Sequence, residues 1–302
     1  MSSASVVLLT GSRGFTGRYV REALVQTGYQ VTGLVPDTPG PGEVHGDISD
    51  PASLREAMSR VRPQFVIHLA AIAFVGHRDP WDFYRINLFG TLNLLEALTQ
   101  NGVKPEKVIL ASSSNVYGIT PLPFVGEDFP PAPVNHYATS KLAMEHMSRT
   151  WLDRLPLVFT RPFNYTGPGQ SEDFVIPKIA SHFAHKKSEI RLGNLDIERE
   201  FNDVRMVAQA YRALLETAPS GTTVNICTGV GHRLLDILQL ASRISGHKLQ
   251  VEVDPAWVRP NELPSLVGNP GHLKQLIPDL PSFTIEQTLT NMIESLQVKT
   301  LA

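Results

Sequence analysis

The chain has 302 residues, of which 42% are hydrophobic, enough to bury one large core or two closely joined ones. Its 27 basic and 29 acidic residues leave a formal net charge of -2, so no excess of positive charge marks a surface for nucleic acid or acidic membrane. Cys227 is the single cysteine, which excludes an intrachain disulfide and any multi-cysteine metal site and fits a reducing compartment. The start, MSSASVVLLTGSRG, lacks the basic beginning and apolar core of a signal peptide, and no segment reaches the roughly 18 apolar residues of a membrane span. A cytoplasmic protein without a membrane partner is expected.

Along the chain, SVVLLTG is a β-branched run stopped by glycine, and FTGRYVREALVQTG carries Tyr19, Val20, Ala23 and Leu24 at helical spacing. The strand YQVTGLV, the helix DPASLREAMSRV with its opening Asp-Pro pair, and the strand PQFVIHLAA continue the alternation. A long helix over PWDFYRINLFGTLNLLEALTQNG, the strand KVILASS, a helix from about His136 to Leu155 and the strand PLVFTRP follow. Such alternation predicts an α/β fold, a doubly wound parallel sheet of Rossmann type with helices on both faces.

After Arg161 the texture changes. Glycine, proline and charged turns become dense in NYTGPGQSED, RLGNLDIEREFNDV and VDPAWVRPNELPSLVGNPG, between the helices FVIPKIASHFAH, VRMVAQAYRALLE and RLLDILQLASRIS. A smaller, loop-rich α/β part is expected to hold most of the substrate site. The long helix after Pro80 is apolar around much of its circumference, through Ile86, Leu88, Phe89, Leu92, Leu94, Leu95 and Leu98, so more than one side is covered. Either a large domain buries it, or it joins the helix beginning near His136 in a bundle between two copies of the chain.

Three groups of residues carry chemistry. TGSRGFTG sets Gly11, Gly14 and Gly17 between the first strand and the first helix, where they permit a tight turn, let a pyrophosphate approach the backbone and let the helix pack closely. Tyr137 and Lys141 stand at i and i+4 on one helical face, and a neighbouring ammonium is expected to lower the phenol toward a working pH. ASSSNVYG ends a strand with Ser113, Ser114 and Asn115 at the opening of the sheet. His182 and His185, beside Lys186 and Lys187, read as a solvated helix face, and no metal site is expected. No nucleophile elbow or hydrolase triad is evident.

TGxxGxTG, HLAA, SSSNVYG, YATSK, RPFNYTGPGQ and REFNDV, in this order, resemble the extended short-chain dehydrogenase/reductase family, whose members act on nucleotide-diphosphate sugars. The likeness spans nearly the whole chain. It implies a dinucleotide-binding domain over residues 1–170 and 203–228 and a sugar-nucleotide domain over 171–202 and 229–302. By matching positions, Ser113 would bond the reacting sugar oxygen, Tyr137 would be the acid or base, and Lys141 would bind the nicotinamide ribose. Gly11, Arg13, Gly14, Phe15, Thr16 and Gly17 would cradle the dinucleotide, Asp47 and Ile48 would meet its adenine, and Leu69, Ala70 and Ala71 would line its groove. Asn87 would support the active site.

On the substrate side the resemblance assigns contacts to Ser114, Asn115, Asn164, Val175, Lys178, Arg199, Arg259 and Glu262, with Arg199 and Asn164 at the diphosphate. FVIPKI, LGNLD and RPNELPSLVGNP resemble the branch that uses GDP-mannose derivatives. The family's 4,6-dehydratases keep an acid where this chain has Asn115, and a carboxamide has no proton to exchange near neutrality. The resemblance therefore implies NAD(P)H-dependent reduction of the C4 ketone of a GDP-4-keto-6-deoxyhexose, to GDP-D-rhamnose or GDP-6-deoxy-D-talose, by a homodimer joined through a helix bundle. NADP(H) is expected ahead of NAD(H), because Arg13 resembles an arginine that a related reductase uses on the 2′-phosphate and the second strand has no acid at its tip, although Asp37 lies nearby. The alternatives are a 4-epimerase that retains NAD, a GDP-mannose 4,6-dehydratase and a non-catalytic dinucleotide sensor.

Overall fold

A computed structural model describes residues 5–255 and 264–301. Its centre is a seven-stranded sheet of β1 (Val6–Thr10), β2 (Gln30–Val35), β3 (Glu43–His45), β4 (Phe65–His68), β5 (Lys107–Ala111), β6 (Leu157–Pro162) and β7 (Thr223–Ile226). The spatial order is β7-β6-β5-β4-β1-β2-β3, and every pair is parallel. The central strands β1, β4 and β5 are nearly continuous apolar runs because both faces are buried. Val7 and Leu9 of β1 point into one core with Ile109 and Val158, while Leu8 points into the other with Val108, Leu110 and Leu157.

Helices α1 (Phe15–Gln26) and α6 (Val204–Thr217) cover the first face. Helices α2 (Pro51–Val61), α3 and α4 (His136–Ser148) cover the second. α3 runs as Pro80–Asp82, a π-helical stretch Phe83–Gly90, and Thr91–Gln100. Leu94, Leu95 and Leu98 of α3 are buried beneath the sheet, whereas Phe89 is 56% exposed. The helix expected to reach Leu155 instead ends at Ser148 and tightens into a 3-10 turn, Arg149–Trp151. The Thr150 hydroxyl donates back to the Met147 carbonyl at 2.7 Å, and the chain turns toward β6.

A separate core joins α5 (Val175–Ala184), α7 (Leu234–Ser245) and α9 (Ile285–Leu301) through Ile179, Phe183, Ile237 and Leu289, with the strand pair Glu189–Leu192 and Gln250–Val253 beside it. A short α8 (Gly271–Leu276) precedes α9. The fully buried Glu200 carboxylate fastens the segments around this core to the end of β7, accepting the amides of Thr228 at 2.8 Å and Gly268 at 2.6 Å. β3, β7, α8 and α9 have no counterpart in the sequence reading. The three-residue β3 and β7, TVNI with its polar Asn225, give as little periodic signal as the six-residue α8 and the weak apolar stripe of α9.

Strand order reverses between β1 and β4, so the sheet opens at the carboxyl ends of these strands, where Thr10 pairs in register with His68. α4, which carries Tyr137 and Lys141, is anchored to β6 by a buried ion pair. Arg161 donates from Nε and Nη2 to both oxygens of Glu145, at 2.9 and 2.7 Å, and lies over the Tyr117 ring. Removing one partner strands a buried charge. Glu145→Ala is expected to cost about 3–5 kcal/mol in urea unfolding, with much of that recovered in the double variant Glu145→Ala/Arg161→Met. A single variant as stable as wild type would contradict this.

Candidate active site

The glycine turn is built by close contact. Gly11 has φ +67°, and a Cβ there would stand 3.0 Å from the Ala70 amide nitrogen. A Cβ on Gly17 would come within 2.1 Å of the Gly11 carbonyl oxygen, so α1 starts directly against the turn. Gly14 supplies no side-chain cap, which leaves first-turn amides of α1 for an anion. Ser12 is 4% exposed and its hydroxyl has no hydrogen-bond partner within the chain. An amide-lined cradle that side chains would fill, with an orphaned hydroxyl beside it, fits a diphosphate-bearing dinucleotide. Phe15 stacks on Tyr165, and the Thr16 hydroxyl bonds the Tyr165 phenol at 2.8 Å.

A hydrogen-bond chain runs from this turn to α4. The Thr10 hydroxyl accepts the amides of Leu69 and Ala70, at 3.1 and 3.0 Å, so its own proton goes to His68 Nδ1 at 2.7 Å. His68 Nε2 then donates to the Thr91 hydroxyl at 2.9 Å, and that hydroxyl donates to the Asn87 carbonyl at 2.8 Å. The Asn87 amide is fixed by the Ile72 backbone, and its Nδ2 also donates to Ser140 Oγ at 3.1 Å. Ser140 in turn donates to the Tyr137 carbonyl at 2.8 Å. The wide π-helical turn of α3 carries Asn87 into this position.

Ser113 opens a 3-10 turn through Tyr117, and its hydroxyl accepts the Asn115 amide at 3.2 Å. Tyr137 is buried and pushed up to about 12 by that burial, while a hydrogen bond from Ser113 works the other way. This corrects the expected lowering by Lys141. The ammonium is itself buried, donates to the Ala111 carbonyl at 2.8 Å, and is lowered to about 8, by burial first and against the pull of Glu145. Desolvation of the phenol sets the direction of its shift, and the Lys141 ammonium is turned to the Ala111 carbonyl. The site therefore holds a protonated phenol at neutral pH, beside a hydroxyl.

The remaining expected residues are distributed around this centre. Asp47 accepts the Ser49 amide and hydroxyl ahead of α2, and the Ile48 carbonyl accepts from Asn93 at 3.0 Å. Ala71 follows the two amides held by Thr10 and is half-buried. Ser114 is buried, and Asn115 is half-buried in the same turn. Asn164 is exposed, with its carbonyl accepting the Asn202 amide at 2.9 Å. In the second half, Val175 begins α5, Lys178 donates to the Arg191 carbonyl at 2.7 Å, and Arg199 Nη1 donates to the Glu198 carbonyl at 2.7 Å. Arg259 and Glu262 lie outside the described residues. Arg13 is held by carboxylates, Asp37 at 2.6 Å and Glu43 at 2.5 Å.

Sequence reasoning missed Thr10, His68, Thr91 and Tyr165. Only the polar residues at the ends of two apolar strands hinted at the first pair. Among the described residues no group of three His, Cys, Asp or Glu could hold a metal ion, and no helix is long and apolar enough to cross a membrane.

Residues 7–227 match the NAD dependent epimerase/dehydratase family. The chain belongs to this family. It is 33% identical to GDP-6-deoxy-D-talose 4-dehydrogenase of Aggregatibacter actinomycetemcomitans, over 92% of this chain and 93% of that protein. It is also 33% identical to GDP-6-deoxy-D-mannose reductase of Pseudomonas aeruginosa, over 94% of each. Among solved structures, a proposed epimerase from Burkholderia cenocepacia J2315 superposes with a TM-score of 0.92 at 42% identity, covering 98% of this chain and 99% of that one. RMD from Pseudomonas aeruginosa complexed with NADPH superposes with a TM-score of 0.88 at 30% identity, covering 98% of this chain and all 100% of that one.

In this epimerase/dehydratase chain, burial lowers His68 from 6.5 to about 3, with the Lys141 charge adding to the effect. The folded state thus keeps His68 neutral while the unfolded chain takes up a proton below 6.5. Its contribution to stability is complete above that value and is lost as the pH falls toward about 3. Wild type should lose up to about 1.4 kcal/mol per pH unit from this group, and His68→Asn should lack that slope. Urea unfolding between about pH 7 and about pH 5 checks it, since a stability difference between the two proteins that stays constant would contradict the neutral ring.

Proposed function

We propose that the protein reduces the C4 ketone of a GDP-4-keto-6-deoxyhexose. The observation that carries this reading is a Tyr137 phenol, buried and so kept protonated, on the same helix face as the buried Lys141, near the Ser113 hydroxyl and with the carboxamide of Asn115 in the neighbouring turn. When bound, the reduced nicotinamide supplies a hydride to C4. As the ketone oxygen gains charge, the Tyr137 hydroxyl gives it a proton and the Ser113 hydroxyl holds it by a hydrogen bond. The Lys141 ammonium then steadies the phenolate left behind.

A carboxamide cannot supply the proton exchange that eliminating water across C5 and C6 requires. The site therefore suits a substrate that is already a ketone. The relatives named for GDP-6-deoxy-talose and GDP-6-deoxy-mannose chemistry support a GDP-sugar, with the nucleotide carried on residues 171–202 and 229–302. The guanidinium of Arg13 in the glycine turn supports NADP(H) ahead of NAD(H).

Given GDP-4-keto-6-deoxy-D-mannose and NADPH, the enzyme should consume one cofactor per sugar and yield a GDP-6-deoxyhexose, whose C4 configuration NMR reads. GDP-mannose should stay intact. Conversion of GDP-mannose to its 4-keto-6-deoxy product would establish a dehydratase instead, and redox-neutral exchange of C4 epimers an epimerase. Tyr137→Phe should reduce kcat about 100- to 10,000-fold while leaving dinucleotide affinity within about twofold.

We also propose a cytoplasmic homodimer formed through α3 and α4. Trp81 is 68% exposed, Phe89 56% and Met147 46%, an apolar set on two adjoining helices that a second copy would cover. Light scattering after gel filtration should give a dimer for wild type and a monomer for Phe89→Glu. A dimeric variant would place the interface elsewhere.

A further inference from the structure

Residues 165–170, YTGPGQ, form a strap that joins the first turns of α1 to the core shared by α5, α7 and α9. On one side it rests on α1. The Tyr165 ring stacks on Phe15 and its phenol is 2.8 Å from the Thr16 hydroxyl, while the Tyr19 phenol donates to the Pro168 carbonyl at 2.8 Å and Arg18 to the Gly169 carbonyl at 3.2 Å. On the other side the strap pairs with the chain entering α6, Tyr165 opposite Asn202 and Thr166 opposite Asp203. The Thr166 hydroxyl reaches the Met292 Sδ at 3.6 Å, and Asp203 accepts the Thr288 hydroxyl at 2.7 Å. Both partners stand on α9, and Met292 belongs to the core that α9 shares with α5. The strap is packed closely, since a Cβ on Gly167 would come within 2.6 Å of the Val204 side chain. It is not fully satisfied: Gln170 Nε2 donates to the Tyr165 carbonyl at 3.2 Å, but its Oε1 is buried with no hydrogen-bond partner.

From this arrangement we infer that Tyr165 is a positioning residue whose hydrogen bond to Thr16 couples filling of the dinucleotide cradle to the affinity of the other half of the chain for its guanine nucleotide. The inference rests on the GDP-sugar reading of the proposed function and is independent of the ketone chemistry. Thr16 carries both one of the first-turn amides of α1 and the hydroxyl that meets Tyr165. In the unliganded chain either oxygen can be the donor, because burial raises the Tyr165 phenol and so keeps its proton in place. A diphosphate at the first turn only accepts, so it draws the Thr16 proton and leaves the Thr16 oxygen to accept from Tyr165. The bond then has one direction and continues into a charged acceptor, which strengthens it along its length. The strap is thereby tied more firmly to α1, and its contacts with Asn202 and Met292 pass that restraint to the segments around α5 and α9. A nucleotide that needs those segments in place binds more tightly once the cradle is filled, and the dinucleotide gains equally from the nucleotide.

Calorimetric titration of the full chain with GDP, alone and with saturating NADP+, and with NADP+, alone and with saturating GDP, tests this. GDP lacks the sugar that meets the nicotinamide, so direct contact between the ligands does not supply the effect. Wild type should bind GDP about fivefold more tightly with NADP+ present, and NADP+ should gain the same factor from GDP. Tyr165→Phe, which keeps the ring against Phe15, and Thr16→Val, which keeps the branched shape, should each bring that factor to about one, and the double variant should change it no further. Tyr165→Phe should bind GDP alone within about twofold of wild type. A wild type without coupling, a Tyr165→Phe variant that retains it, or a double variant unlike both single ones would overturn the inference. So would a Tyr165→Phe variant whose affinity for GDP alone falls by the whole coupling factor, which would make the strap a brace only. A chain that binds no GDP would overturn this inference together with the GDP-sugar reading, whereas coupled binding without ketone reduction would overturn the proposed reaction and uphold the coupling.

Discussion

The single proton of the Thr10 hydroxyl sets the direction of the polar interior. Two backbone amides fill the oxygen's acceptor positions, so the proton has one destination, His68 Nδ1. That fixes the imidazole tautomer, which fixes Thr91 as acceptor from the ring and donor to Asn87. The same oxygen that pins the ends of β1 and β4 together at the crevice therefore also orients the support beneath Tyr137. A network satisfied at each of these atoms is rigid, and it specifies one arrangement because any reversal would leave a buried donor or acceptor unpaired. The glycine turn and α4 are thereby held in one frame.

Burial then decides the chemistry. Tyr137 and Lys141 are both desolvated, and desolvation disfavours the charged form of each, raising the phenol and lowering the ammonium. Glu145 opposes the loss of charge on Lys141 from one turn further along α4, but that carboxylate is itself taken up by both arms of Arg161. The sequence of charges along this line is cation, anion, cation, with the neutral phenol at the open end. Such an arrangement leaves the phenol neutral and protonated over the whole physiological range.

The alternation of strands and helices was legible because β1, β2, β4, β5 and β6 are mainly apolar runs bounded by turn residues, whereas the three-residue β3, and β7 with its polar Thr223 and Asn225, were not. The glycine turn and the Tyr137 and Lys141 pair were legible because their spacing is local. What sequence could not reveal was set by distance and by solvent. Arg13 meets Glu43, 30 residues away, and no local pattern marks that carboxylate as its counterion. The direction of the Tyr137 shift depended on burial, which spacing along a helix does not report. Arg259 and Glu262, read from a loop resembling the GDP-mannose branch, stand on the family likeness alone.

The contrast between the two charged regions has a physical basis. Near Tyr137 the ion pair of Arg161 and Glu145 is almost wholly buried, so exchanging one partner for a ligand group would expose the other to an uncompensated desolvation cost. At the rim, Arg13 and Asp37 are 46% and 68% exposed, and water can solvate either when the pair opens. The buried pair therefore fixes α4 against β6, whereas the exposed pair can open and close at little cost.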